Sequence, residues 1–402
     1  MEHPILTVLR LPGAARAFLP SLIGRLSLAM AVLAIVLAVQ RATESFTAAG
    51  AASGFFGFAN VVAAPWRARV IGRWGQRRTL IPLSLIQAAS YLGLALAAHA
   101  SATPAPVFLG LSTAAGLAAP PLGAAMRAAW TSVTSLGDQR ARALSLDATA
   151  DEAVFIVGPV VAASLSAAFS PSSALLAAAI ALLIGTLGLT TSQVAGTLRG
   201  RDHEPEADAG TRALRFPGFV RVLVVLFGVG VVLGTIEVVA PAVAVADHHR
   251  GASGWLLAAL SLGSALGGLA YGHAAWRSAL SSRMLFAGAA MGALTCATAF
   301  LTTVLGFALG AVAIGLLLAP SIVTGYLATE VLVPPHAALE ASIWTNTALN
   351  LGAAISNASA GALVTNVGTT SAMVLAAAVV TAASACTPRA HLIQRSTRRP
   401  PT

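Results

Sequence analysis

The chain reads as a series of apolar stretches, each about twenty residues long and divided from the next by a short polar joint. A helix needs about 20 apolar residues to cross the hydrocarbon layer of a bilayer. Twelve windows meet that requirement, at residues 18–40, 46–66, 79–98, 105–129, 143–165, 172–191, 216–238, 253–274, 284–303, 306–328, 341–363 and 370–388. Gly, Pro and Ser interrupt many of them. Membrane helices tolerate this, because small residues let neighbouring helices approach closely. The pattern predicts an all-α membrane protein with twelve transmembrane helices. The first window is longer than the apolar part of a signal peptide, and no small-residue cleavage site follows it before Gln40-Arg41, so it is read as a span.

Composition narrows the class further. Of 402 residues, 57% are hydrophobic and 9% charged, whereas a soluble chain carries about 25% charged residues. So few charges cannot coat a water-facing surface, and a soluble enzyme does not fit. The apolar content excludes disorder. With Cys296 and Cys386 as the only cysteines, a disulfide scaffold is excluded as well. The net charge is +10, and every one of the 24 basic residues is Arg. In a soluble protein that balance would suggest nucleic acid, but in a polytopic one it sets orientation, since basic loops stay in the cytoplasm. With the N-terminus inside, only Arg41 and Arg250 fall outside. Arg67, Arg69, Arg73, Arg77 and Arg78 crowd the joint after helix 2, and Arg389, Arg395, Arg398 and Arg399 follow helix 12. Both termini are expected to be cytoplasmic, and no nucleic-acid partner is expected.

Residues 192–215 hold the one extended polar stretch between spans, with Arg199, Arg201, Asp202, Glu204, Glu206, Asp208, Arg212 and Arg215. Six spans precede it and six follow. The chain thus divides into residues 1–191, a cytoplasmic linker at 192–215, and residues 216–402. The two parts also match each other at an offset of about 200 residues. Ala-Ser-Gly opens helix 2 at 52–54 and helix 8 at 252–254, while Gly116 and Pro121 match Gly315 and Pro320. A parallel repeat of two six-helix halves is an architecture of secondary transporters, with the substrate site between the halves near the midplane.

Over its whole length the chain resembles the major facilitator superfamily of transporters. The joint after helix 2 reads Ala68-Arg-Val-Ile-Gly72-Arg73-Trp74-Gly75-Gln76-Arg77-Arg78. The family pattern there is Gly-x-x-x-Asp-Arg-x-Gly-Arg-Arg. Arg73, Gly75, Arg77 and Arg78 fit it, whereas Ala68 and Gly72 replace its first Gly and its Asp. The resemblance assigns these residues to the cytoplasmic gate and puts the family's Asp latch in doubt. Helix 5 carries Gly158-Pro159, the core of a motif that proton-exchanging exporters of the family display as Gly-x-x-x-Gly-Pro-x-x-Gly-Gly. Val154, Ala162 and Ala163 stand at its outer positions. That core favours export over uptake; equally, Gly-Pro simply bends a packed helix. The resemblance implies a bacterial plasma-membrane protein, monomeric, that moves a small molecule through the lipid bilayer.

No constellation for covalent catalysis is present. The His residues are scattered, no His or Cys cluster has metal-ligand spacing, and the absence of Lys excludes a phosphate-binding Gly-Lys-Ser/Thr loop. The chain is therefore not expected to be an enzyme or to need a cofactor or metal, and its energy would come from an ion gradient or from the substrate's own gradient. Charged groups inside a membrane are costly and usually functional, which makes them the candidates. Glu152 lies six residues before Gly158, ~9 Å along the axis, and so near the midplane. Asp147 and Asp151 share a face, and Glu152 points away from it. There an ionised carboxylate is far costlier than a protonated one, which suits Glu152, or failing that Asp151, to carry a proton. Alternatively these acids pair with Arg140 or Arg142 at the interface. Asn346 and Asn350 share a face of helix 11 and either line the cavity or bond to a neighbouring helix. Arg127 either holds an anionic group in the cavity, opposite Tyr326, or snorkels to the interface as Arg25 would. Glu237 and Arg41 lie toward the outer ends of helices 7 and 1, either as an outer-gate ion pair or as solvated groups. The leading expectation is proton-coupled export of a small-molecule substrate. The alternatives are uptake or uniport on the same fold, and a sensor or scaffold that has lost transport.

Overall fold

A computed structural model describes residues 8–9, 11–100, 103–134, 138–192, 213–273, 278–333 and 338–387. At a few helical positions it describes the main chain alone. The long elements are all helices: α1 (Ala14–Thr43), α2 (Phe46–Trp74), α3 (Gln76–His99), α4 (Ala105–Leu117), α5 (Leu122–Val133), α6 (Asp138–Ala168), α7 (Pro171–Thr191), α8 (Pro217–Ala246), α9 (Ser253–His273), α10 (Leu280–Thr298), α11 (Val304–Leu332), α12 (Ala338–Asn366) and α13 (Thr369–Ala385). Counting α4 and α5 as halves of the fourth span, these are the twelve helices of the apolar pattern. Among the described residues, nine spans are long and apolar enough to cross a membrane. The other three are α6, α12 and α13. The first half of α6 carries Asp147, Asp151 and Glu152, α12 carries Asn346, Asn350 and Asn357, and α13 is only 17 residues long.

The chain forms two compact units, Met1–Glu44 with Ala59–Glu204, and Ser45–Phe58 with Pro205–Thr402. The first half of α2 thus belongs with the second unit. There Thr47 N–H donates to Thr365 Oγ1 at 3.0 Å, and Gly50 and Gly54 lie so close to α12 that a Cβ at either would strike its backbone. Chain order says nothing about which neighbour half a helix will choose, so the expected division at residue 191 does not contain this exchange. Residues 193–212 of the expected linker and the basic tail from 388 onward lie outside the described residues.

Small residues set the packing distances inside each unit. In the first unit α1 packs on α6 and α7, and Gly24 and Gly185 meet backbone to backbone. In the second unit α8 packs on α12 and α9 on α11; Gly230 and Gly234 lie against the main chain of Leu349 and Ala353. With lipid as apolar as the side chains, such close contact between helices supplies the packing energy that hydrophobic burial supplies in water.

Two local departures from the apolar pattern matter for the site. First, helix 2 does not stop at residue 66. It runs on to Trp74, and α3 begins at Gln76, leaving Gly75 as the whole turn. Arg67, Arg69 and Arg73 are therefore helical rather than loop residues. Arginine is a good helix former and favours a helix C-terminus. Gly75 has φ 83° and ψ 161°, a conformation essentially reserved for glycine. Second, helix 4 is broken between Leu117 and Leu122, whereas its repeat counterpart α11 passes through Pro320 without interruption. Pro120 and Pro121 are consecutive, and each also disfavours helical geometry in the residue before it. On α11 a single proline frees one carbonyl, that of Leu316, and Gly267 of α9 packs directly against it.

The turn gives a paired expectation. Gly75→Ala should destabilise the folded protein by roughly 1–3 kcal/mol through backbone strain. Gly72→Ala, where a Cβ meets open space, should be neutral or stabilising by up to about 1 kcal/mol. Thermal unfolding of the two variants in detergent distinguishes the cases; equal shifts would contradict the turn geometry.

Candidate functional site

The first unit brings four charges together where α1, α5 and α6 meet. Asp147 and Asp151 are one helical turn apart on α6 and so face the same way. Arg25 reaches them from α1, with Nη2 at 2.7 Å from Asp147 Oδ1 and Nη1 at 3.4 Å from Asp151 Oδ1. Arg127 comes from α5, its Nη1 at 3.6 Å from Asp147 Oδ2. The four side chains form a ladder of alternating sign, Asp151–Arg25–Asp147–Arg127. Its middle is sealed and its ends are open: the side chains of Arg25 and Asp147 are 6% and 2% exposed, those of Asp151 and Arg127 34% and 52%. Gly123, one turn before Arg127, lies in ordinary packing contact with both guanidinium groups. A Cβ there would stand 3.4 Å from Arg127 Nη1 and 3.6 Å from Arg25 Nε. That Nε has no hydrogen-bond partner among the described residues. Arg25, expected to snorkel, is instead buried against a carboxylate, because a buried cation without a partner costs several kcal/mol.

The second unit holds a carboxyl of a different kind. Glu237 on α8 accepts a hydrogen bond from Asn357 Nδ2 of α12 at 3.0 Å. Its partner is a neutral amide, and among the described residues no arginine lies within ion-pair distance of it. Asn357 is buried and its Oδ1 has no described partner. Two residues before Glu237 and one before Asn357 on the same pair of helices, Thr235 and Ser356 share a hydrogen bond of 2.6 Å. Polar contacts thus repeat along the α8–α12 seam.

The remaining candidates are dispersed. Glu152 follows Asp151 on α6, and its side chain lies outside the described residues. Asn350 Nδ2 donates to Asn346 O at 2.8 Å and to Asn346 Oδ1 at 3.1 Å, so these two bond along α12 rather than across to another helix. Tyr326 is half-buried on α11, and Arg41 is exposed at the end of α1. Arg73, Arg77 and Arg78 are exposed around the Gly75 turn. Gly158 and Pro159 are buried, and Gly158 sits against Ala29 of α1, so this position sets the α1–α6 distance on which the Arg25–Asp147 contact depends. Among the described residues no group of three or more His, Cys, Asp or Glu could hold a metal. Sequence reasoning passed over Asn357, one polar residue among several on its helix. It also miscast Arg67, taken for a loop residue but 4% exposed within α2.

Residues 18–251 match the family model of the Major Facilitator Superfamily. The chain belongs to that superfamily. Solved structures agree on the fold. A mutant of nucleoside transporter NupG is similar with a TM-score of 0.76 at 12% identity, covering 92% of this chain and 98% of that one. An auto-inhibited POT family peptide transporter has a TM-score of 0.68 at 15% identity, with 97% of each chain covered. The POT family transporter PepTSo has a TM-score of 0.71 at 11% identity, covering 96% and 99%. No curated protein matches the chain at the level of sequence. As a superfamily member the protein is a multi-pass membrane transporter, and its intramembrane charges are to be read in that light.

The ladder makes a graded expectation. Arg25→Met strands Asp147 in a buried site and should destabilise by about 3–5 kcal/mol. The double variant Arg25→Met/Asp147→Leu should recover most of that loss. Asp151→Asn, at the open end, should be far milder. Unfolding midpoints in detergent test the order; a double variant as unstable as the sum of its singles would show that the pair is not the interaction at stake.

Proposed function

We propose that this superfamily member is a secondary active transporter that exports a small molecule in exchange for protons. It would work by alternating access, with the ladder and Glu237 as the polar groups of its two units. The observation that carries this reading is the cost of those charges: a chain with no transport task has no need to pack four charged side chains of α1, α5 and α6 together in a bundle of membrane helices. The Gly158-Pro159 core supports export. The proton role rests on the acids that arginines do not already hold. Asp147 is held by Arg25 and Arg127; the candidates for the proton are Glu152, the acid that its spacing from Gly158 puts nearest the midplane, and Glu237, whose described partner is a neutral amide. We place the protein in a bacterial plasma membrane as a monomer, with both termini in the cytoplasm; the arginine distribution supports that orientation.

The experiment is transport by purified protein in liposomes, with and without an imposed pH gradient. Nucleosides and short peptides, named for the structural neighbours, would lead the substrate panel. The expected outcome is gradient-driven substrate movement that Glu152→Gln abolishes while exchange without a gradient persists. Full gradient-driven transport by Glu152→Gln with an unchanged pH profile would move the proton role to Glu237, tested by Glu237→Gln. Movement indifferent to the gradient in the parent protein would make it a uniporter, and no movement of any panel member would favour a sensor.

A further inference from the structure

The break in helix 4 has a partner that its sequence does not announce. In an unbroken helix the carbonyl of residue i accepts from the N–H of residue i+4. Proline has no N–H, so Pro120 leaves the Gly116 carbonyl without its helical donor and with only a long 3.3 Å bond from Ala119 N–H in its place, and Pro121 leaves the Leu117 carbonyl without its own. Those are the two oxygens to which Arg67 of α2 donates, Nη1 reaching Gly116 O at 2.9 Å and Leu117 O at 3.3 Å. Nη2 of the same guanidinium is fixed on α2 itself, at 2.7 Å from Asn60 O and 2.6 Å from Asn60 Oδ1. Every hydrogen-bond partner of this buried cation among the described residues is a neutral oxygen. What balances its charge is the carbonyl end of α4, where the aligned peptide dipoles leave a partial negative charge. Broken membrane helices of transporters use such ends to bind free cations; here the cation is part of the chain.

We propose that Arg67 is the built-in cation of the helix 4 break. It closes the two carbonyls opened by Pro120 and Pro121 and thereby sets the angle at which α5 presents Arg127 to Asp147. Arg67 is then a positioning residue acting through α5, and this role does not depend on the substrate or on proton coupling. A planar guanidinium suits it better than an ammonium, since one group must serve two carbonyls on α4 and an anchor on α2 at once.

A double-mutant cycle tests the assignment. Arg67→Met should lower the melting temperature in detergent by several degrees, and Arg67→Lys by less. In a Pro120→Ala/Pro121→Ala background the restored N–H groups close the helix themselves, so Arg67→Met should shift the melting temperature little. Spin labels on Cys introduced at Ala105 and Ala124, both exposed, in a chain with Cys296 and Cys386 replaced by Ser, should report a broader distance distribution across the break in Arg67→Met than in the parent. If Arg67→Met does not fold, Arg67→Gln takes its place in both backgrounds. Equal destabilisation with and without the prolines, or an unchanged distance distribution, would overturn the proposal and leave Arg67 as a packing residue of α2.

Discussion

A hydrocarbon solvent offers no hydrogen bonds, so each polar group that enters it must find its partner within the chain. In water an unmade bond is replaced by one to solvent and the net loss is small. In lipid the loss is several kcal/mol for a backbone group and larger for a charge. That asymmetry governs what the structure does with its few polar residues. The apolar helix faces need only fit, and alanine and glycine let them do so at short range. Arg25, Arg67, Asp147 and Asn357 are each fixed by a specific contact instead.

The same constraint separates charges that hold the fold from charges free to act. Neutralising Asp147 would leave the buried Arg25 with only the longer contact to the half-open Asp151, so the middle of the ladder resists a change of charge. Asp151 and Arg127, at the ladder's ends, keep one side open and can exchange one partner for another. Glu237 differs from all of these because an amide can satisfy either form of a carboxyl, donating through Nδ2 or accepting through Oδ1. The idle Oδ1 of Asn357 is what such a two-way partner requires.

Much of the fold was legible because span length and apolar content are properties of single segments. Twelve windows became twelve helical spans, and the i, i+4 spacing of Asp147 and Asp151 correctly placed them on one face. The contacts were less legible, because they depend on pairs distant in sequence. Arg25 and Asp147 are far apart in the chain, and nothing in either segment alone distinguishes a snorkelling arginine from a paired one. Arg67 was hidden for another reason. Five arginines in twelve residues look like a loop when hydropathy alone sets the end of helix 2, whereas the chain stays helical until Gly75, where φ turns positive. Proline positions were visible, but their effect was not: Pro121 and Pro320 match in the repeat, yet only the first follows another proline.

That last difference shows how two halves of similar sequence come to differ in use. One proline in α11 frees one carbonyl, and a glycine on the facing helix covers it by close approach, so the helix stays whole. Two consecutive prolines free two adjacent carbonyls, more than a facing glycine can shield, and the helix parts. Once parted it exposes a negative end, which Ala119 N–H meets in part at Gly116 O and which the Arg67 guanidinium meets at both carbonyls. The arginine that meets this need also ties α2 to α4, and the short helix beyond the break carries Arg127 to the open end of the ladder. A second proline thus turns a structural helix into a jointed one, and the joint lies next to the charges that give the first unit its polar site.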